Sequence, residues 1–213
     1  MDEIKKSKYL PRFSRLNIIN ILINKIKARS YLEIGLGDGI VFKRVKCKNK
    51  TGVDPCLSSY KLGQKCTYEP TYKMTSDEFF KINKKKFDII FIDGLHESKQ
   101  VEKDIKNSLR FLNKNGYIIC HDINPPNIEA QKMPRKTRIW TGDCWKAWVK
   151  IRTEHKNLKM FTVNTDYGCG IIQVGPQESL NLKGKEINYQ NLTMNRKKWL
   201  NLIGVKKFKE QYK

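Results

Sequence analysis

Nothing in the 213 residues forms an apolar run long enough to span a bilayer, and the opening MDEIKKSKYLPRF lacks the apolar centre of a secretory signal. The six cysteines (Cys47, Cys56, Cys66, Cys120, Cys144, Cys169) contain no Cys-x-x-Cys pair. That argues against a zinc cluster and leaves reduced thiols in a cytoplasmic protein as the expectation. No internal repeat stands out, and the length suits one α/β domain with a full core and short appendages. Acidic residues are scarce, 21 against 43 lysines and arginines, for a net charge of +22. Such a charge fits a polyanionic partner such as nucleic acid, an anionic glycan or a nucleotide-activated substrate. It also fits compositional drift, because lysine, asparagine and isoleucine are abundant together and the lysines run along the whole chain. Drift is the preferred reading.

What is present is an alternation of strand and helix patterns. Residues 14–28 carry apolar residues at helical spacing behind Ser14, a cap candidate. Strands are predicted at 31–35, 51–54 and about 67–70. A helix at 76–83 is expected to be capped by Ser76, with Phe79 and Phe80 inward. The run 87–93 (FDIIFID) reads as a central parallel strand buried on both faces. An amphipathic helix at 97–112 ends in an Asn115-Gly116 turn before a strand at 117–122. Residues 124–142 form a long irregular loop with three prolines, and such loops are usually functional. A helix at 143–155, a hairpin at 159–164 and 169–174, a polar connector at 176–192 and a basic helix at 193–212 complete the chain.

The pattern predicts a doubly wound, Rossmann-like sheet of seven strands, mostly parallel, closed by an antiparallel hairpin. Ligands of such sheets lie beyond the carboxyl ends of the strands. The segment Tyr31-Leu-Glu-Ile-Gly-Leu-Gly-Asp-Gly39 sits there, and Asp54 follows at the end of the next strand. Glycines allow close approach to the backbone, and an acidic residue about twenty positions later suits a ribose diol. A nucleoside-bearing cofactor is therefore expected. Ser76, Asp93 to His96, and His121 with Asp122 fall on the same rim.

Glu33 followed by glycines at 35, 37 and 39, with Gly52-Val-Asp-Pro55 and the terminal hairpin, resembles the class I S-adenosylmethionine-dependent methyltransferases over about residues 14–175. A Rossmann dehydrogenase would show G-x-G-x-x-G instead. FIDGLH (91–96), LNKNGYIICHD (112–122) and WTGDCWKAW (140–148) further resemble a subgroup of metal-dependent sugar and small-molecule O-methyltransferases, the macrolide-sugar enzymes among them. The resemblance implies a methyltransferase domain over 1–175, with 176–213 a connector and basic helix packed on it. It implies Glu33, Gly35, Gly37, Asp38, Asp54, Ser76 and Asp93 at the cofactor, Asp93 and His96 in catalysis with His96 as base, and Asp93 with Asp122 at a divalent metal. His121 stands where members of the subgroup often carry a second carboxylate, which suits Mn, Fe or Zn better than Mg or Ca.

Several positions keep two readings. Ser76 and Asp77 are a helix start or adenine contacts, and Asp143 is a plain helix cap. Trp140 is a platform for a sugar ring or core. Lys132, Arg135, Lys136 and Arg138 form a solvated lid or an anion clamp. The function expected is O-methylation of a sugar or other small-molecule hydroxyl, beside glycosyltransferases of the same pathway. The alternatives are an RNA or protein methyltransferase and a catalytically silent scaffold. Nucleic acid is the less favoured partner, since neither an NPPY-type amine motif nor an RNA-binding module is present.

Overall fold

A computed structural model describes residues 11–56 and 68–213. The strands are β1 (Ser30–Ile34), β2 (Asn49–Val53), β3 (Phe87–Ile92), β4 (Leu112–Cys120), β5 (Leu158–Val163), β6 (Cys169–Val174) and β7 (Leu202–Ile203). The helices are α1 (Arg15–Ile26), α2 (Ile40–Arg44), α3 (Ser76–Ile82), α4 (Ser98–Arg110), α5 (Cys144–Glu154), α6 (Tyr189–Leu200) and α7 (Val205–Tyr212). The seven strands make one sheet in the order β2-β1-β3-β4-β6-β5-β7. β2, β1, β3 and β4 run parallel, and β6 pairs antiparallel with both β4 and β5. The expected architecture, mostly parallel with one antiparallel hairpin, is what the chain adopts. β1 lies between β2 and β3, so the sheet grows in opposite directions from it, and the crevice at its carboxyl end is the switch point where such folds bind ligands.

Alternation along β3 shows why both faces carry helices. Ile90 and Ile92 enter one core cluster with Phe79, Ile105, Trp145, Trp148 and Trp199, while Ile89 and Phe91 enter the other with Ile19, Leu22, Phe42 and Phe208. All of these side chains are buried, as a strand with no solvent face requires. Residues beyond 175 contribute to both clusters: Leu180, Leu192 and Leu200 to the first, Phe208 to the second. Arg152 of α5 joins this segment to the rest by donating to the carbonyls of Lys198 and Trp199 at 2.8 and 2.7 Å.

Five details differ from the sequence reading. The strand near 67–70 does not form in its described part, 68–70; the contact is a single bridge between Val53 and Tyr72. Pro70 lacks the N–H a ladder needs. The helix expected over 193–212 is broken. Asn201 adopts φ 48° and caps α6, then Leu202 and Ile203 pair with Thr162 and Val163 as the seventh strand before α7 begins. Asn115-Gly116 is an irregularity inside β4 rather than a turn before it, with Asn115 at φ 67° and the register shifting between Phe87 and Ile89. Thr75, not Ser76, caps α3: its hydroxyl accepts from Glu78 N while Glu78 reaches back to Thr75 N at 2.8 Å. Cys47, Cys120, Cys144 and Cys169 are free, but Cys56 is disulfide-bonded, so the expectation of reduced thiols does not hold there. Among the described residues no helix is long and apolar enough to cross a membrane.

Candidate active site

The glycine segment turns from β1 into α2 at the switch point. Gly35 has φ +83°, and a Cβ there would stand 2.3 Å from the Asp93 carbonyl oxygen, so the loop lies directly on the end of β3. Gly37 has φ +52°, and among the described residues no atom lies within 4 Å of a would-be Cβ, an opening beside the loop. Asp54, buried at the end of β2, grips this loop. Its Oδ2 accepts from Leu36 N at 2.8 Å and Gly37 N at 3.2 Å, and its Oδ1 accepts from Cys56 N at 2.7 Å. Asp38 Oδ1 accepts from Ile40 N at 3.0 Å and opens α2. Glu33 is buried inside β1 and accepts the Tyr31 hydroxyl; burial pushes its carboxyl up to about 8. Ser76 is turned toward α4, where its hydroxyl accepts from Gln100 Nε2 at 3.2 Å.

Asp93, His96 and Asp122 do converge. His96 spans the two carboxylates, with Nε2 3.3 Å from Asp93 Oδ1 and Nδ1 3.1 Å from Asp122 Oδ2. His121 lies beneath them, its Nδ1 3.3 Å from Asp93 Oδ1 and 3.2 Å from Asp122 Oδ1. These side chains come from the carboxyl ends of β3 and β4, which pair in register up to Ile92 and Cys120. Asp122 takes φ +59°, a conformation aspartate tolerates better than most residues.

Two members of the cluster were not picked out in the sequence. Arg15, the first residue of α1, places Nη1 2.7 Å from Asp93 Oδ2, and its Nε 2.9 Å from Asp166 Oδ2. Asp166 sits in the β5–β6 turn and also accepts the Arg15 backbone N–H at 3.0 Å. Sequence patterns carry no warning of either, because one residue reads as an exposed helix start and the other as a turn former.

The loop 124–142 is pinned at both ends. Arg196 of α6 donates to Asn124 Oδ1 at 2.6 Å and to the Pro125 carbonyl at 2.7 Å. At the far end a Cβ on Gly142 would fall 1.8 Å from the His96 carbonyl oxygen. Asp143 does more than start α5: its carboxylate accepts from Ser98 N at 2.6 Å and Ser98 Oγ at 3.1 Å, which fixes the first turn of α4 just after His96. Trp140 stacks on the His96 ring. Within the loop Lys132 pairs with Glu129, and Arg135 donates to the carbonyls of Thr137 and Arg138, so these two cations hold the loop's own shape.

Burial alone would favour neutral imidazoles, but Asp122 and Asp93 outweigh it and raise both His96 and, more strongly, His121. Asp93 goes the other way: burial would raise it, and His121 with Arg15 holds it well below the usual carboxylate range. The donor set also fits a divalent ion. Asp93, His96 and Asp122 offer ligand atoms within 4.8 Å of one another, and His96 Nδ1 is buried without a hydrogen-bond partner among the described residues, though an Asp122 oxygen is near. Two carboxylate oxygens and one imidazole nitrogen are ligands of Mn, Fe and Zn type.

Residues 50–123 match the family model described as a methyltransferase domain. No curated protein matches the chain in sequence. A solved putative caffeoyl-CoA O-methyltransferase from Staphylococcus aureus is 17% identical over 78% of this chain and 86% of its own, with TM-score 0.55. The S-adenosylhomocysteine-bound methyltransferase PaMTH1 of Podospora anserina is 15% identical over 75% and 77%, with TM-score 0.52. The O-methyltransferase TomG of Streptomyces achromogenes, from tomaymycin synthesis and bound to S-adenosylmethionine, is 12% identical over 78% and 82%, with TM-score 0.52. At these identities the likeness is one of fold.

Proposed function

We propose that this chain, whose residues 50–123 match a methyltransferase domain within a class I methyltransferase fold, moves the methyl group of S-adenosylmethionine to a hydroxyl of a small molecule, a sugar above all. The observation that carries the reading is the His96 bridge between Asp93 and Asp122, beside the glycine loop at the switch point. The loop and Asp54 are where such folds receive a nucleoside, and the opening at Gly37 is on that side. Glu33, Asp38 and Ser76 remain assigned to the cofactor, Glu33 through the methionine moiety and Ser76 through the adenine.

The chemistry is an in-line displacement at the methyl carbon. The sulfonium is already a strong electrophile, so the protein's task is alignment and removal of the hydroxyl proton. His96 takes that proton, and the imidazolium formed is stabilised by the two carboxylates that flank it. Trp140 and the Gly142 contact hold the ring in place, and the pinned loop 124–142 covers the acceptor and limits water. A divalent ion bound by Asp93 and Asp122 would lower the hydroxyl pKa.

A two-part assay tests this. Calorimetry with S-adenosylhomocysteine should show binding, and release of that product from S-adenosylmethionine should be seen with members of a panel of free hexoses, nucleotide sugars and catechol. RNA and a lysine-rich peptide serve as amine-bearing comparators. Turnover confined to RNA or peptide would replace the small-molecule reading. Parental turnover by His96→Ala on an accepted hydroxyl would remove the base assignment.

A further inference from the structure

Methyl transfer as written above makes no use of Arg15, yet Arg15 is a firmly placed charge on the rim. Its guanidinium meets Asp166 side-on, Nε to Oδ2 at 2.9 Å and Nη2 to Oδ1 at 3.3 Å, while its backbone N–H donates to the same Oδ2 at 3.0 Å. The Asp166 side chain is fully buried, and the Ser14–Asn17 capping box fixes the helix start. Three bonds to one immobile carboxylate thus hold the arginine, and what it presents to the site is Nη1, 2.7 Å from Asp93 Oδ2. The other Asp93 oxygen, Oδ1, has His96 Nε2 and His121 Nδ1 each at 3.3 Å. Arg15 Nη1 also lies 3.3 Å from His121 Nδ1, so both oxygens of this candidate ligand already stand against side-chain nitrogens of the protein, Oδ2 in a hydrogen bond from Arg15.

A divalent ion at Asp93 and Asp122 would have to share Asp93 with a charge that never leaves, since a guanidinium stays protonated in any protein. Neutral donors behind a ligating carboxylate orient it and strengthen a metal site. A full positive charge a few ångströms away in a partly buried site opposes the incoming cation instead. We propose that Arg15 is a tethered counter-ion of Asp93 that competes with divalent metal for this carboxylate and keeps the site's metal affinity low. The proposal rests on the reading of Asp93 and Asp122 as metal ligands.

The experiment is a Mn2+ titration, with free Mn2+ followed by electron paramagnetic resonance, on the parent protein, Arg15→Met, Arg15→Lys and Asp93→Asn. Arg15→Met is expected to bind Mn2+ about tenfold more tightly or better, the scale on which neighbours of ligands act. Arg15→Lys, which keeps the charge, should stay near the parent, and Asp93→Asn should lose binding. Measurable binding by the parent that Arg15→Met leaves unchanged or weakens would overturn the competition. So would Arg15→Lys binding as tightly as Arg15→Met. No Mn2+ binding by either parent or Arg15→Met would overturn the metal reading beneath it. Should Arg15→Met not fold by circular dichroism, 15N-arginine spectra of the parent decide: Arg15 side-chain resonances move on saturation with Zn2+ if Arg15 yields Asp93, and unmoved resonances refute the proposal.

Discussion

The imidazole of His96 lies almost parallel to the indole of Trp140, with ring centroids 5.1 Å apart and planes 19° from parallel. Asp93 Oδ1 and Asp122 Oδ2 stand 3.3 and 3.1 Å from the two ring nitrogens, and the indole fixes the plane. Trp140 is itself held, since its Nε1 donates to the Lys132 carbonyl at 2.9 Å. Trp140→Ala should therefore lower kcat by roughly 10–100-fold, the scale of a small misplacement of a reacting group. Affinity for S-adenosylhomocysteine should not change, and Trp140→Phe should recover most of the rate because it restores a flat partner. Calorimetry beside steady-state kinetics checks this; a fall in cofactor affinity matching the fall in kcat would move Trp140 into the cofactor site.

Asp54 has a structural duty that precedes any ribose contact. It accepts the N–H groups of Leu36, Gly37 and Cys56 while buried. Asp54→Ala strips three donors of their acceptor. A stability loss of about 2–4 kcal/mol is expected, together with loss of S-adenosylhomocysteine binding. Asp54→Asn keeps one acceptor oxygen and should fold better than Asp54→Ala, yet still bind the cofactor weakly. Urea melts followed by calorimetry separate the two effects. Full cofactor affinity in folded Asp54→Asn would confine Asp54 to the structural duty.

The three glycines at 35, 37 and 142 give a graded test of what each opening is for. A Cβ at Gly35 would meet the Asp93 carbonyl at 2.3 Å, and one at Gly142 would meet the His96 carbonyl at 1.8 Å. Both alanine variants should lose about 3 kcal/mol or more of stability, because backbone and not a flexible side chain must move. Gly37→Ala meets nothing within 4 Å among the described residues. It should cost only about 1–2 kcal/mol from the left-handed backbone while weakening cofactor binding. Thermal melts of the three variants, with and without S-adenosylhomocysteine, read this out. A Gly37→Ala protein that binds normally would place the cofactor elsewhere on the rim.

Much of this site can be read in the sequence because its parts come from motifs in which position and chemistry coincide. The glycine spacing, Asp54, and the Asp93 to His96 pair each sit at a strand end that hydrophobic runs mark clearly. Arg15 and Asp166 are illegible for the opposite reason. They are 151 positions apart, and only the tertiary fold, which lays α1 beside the β5–β6 turn, gives them a common purpose. The same holds for Leu202 and Ile203, two residues whose strand character comes from pairing with β5 and not from any local pattern. Asp143 shows a milder case. A capping role is legible, but that its carboxylate serves the helix before it in space, α4, depends on the path of the loop between them.

Asp104 makes stability depend on pH in a direction opposite to that of a salt-bridged carboxylate. It is buried on α4 and accepts from Gln100 Nε2 at 3.1 Å, and burial pushes its carboxyl up to about 6. In the unfolded chain an aspartate titrates near 4. The folded state thus binds the proton more tightly than the unfolded one between these values, and stability is lost as pH rises. The contribution is fully present below about pH 4, declines through about pH 6 and is absent above, with an upper size of about 3 kcal/mol. Asp104→Asn is neutral at every pH and keeps an acceptor for Gln100. It should match the parent at pH 4 and exceed it by about 1–3 kcal/mol at pH 8. Urea unfolding of both proteins at half-unit steps between these pH values gives the difference curve. A difference that stays flat across the range would show that Asp104 is charged in the folded protein, its ionised form held by Gln100 and Ser76 against burial.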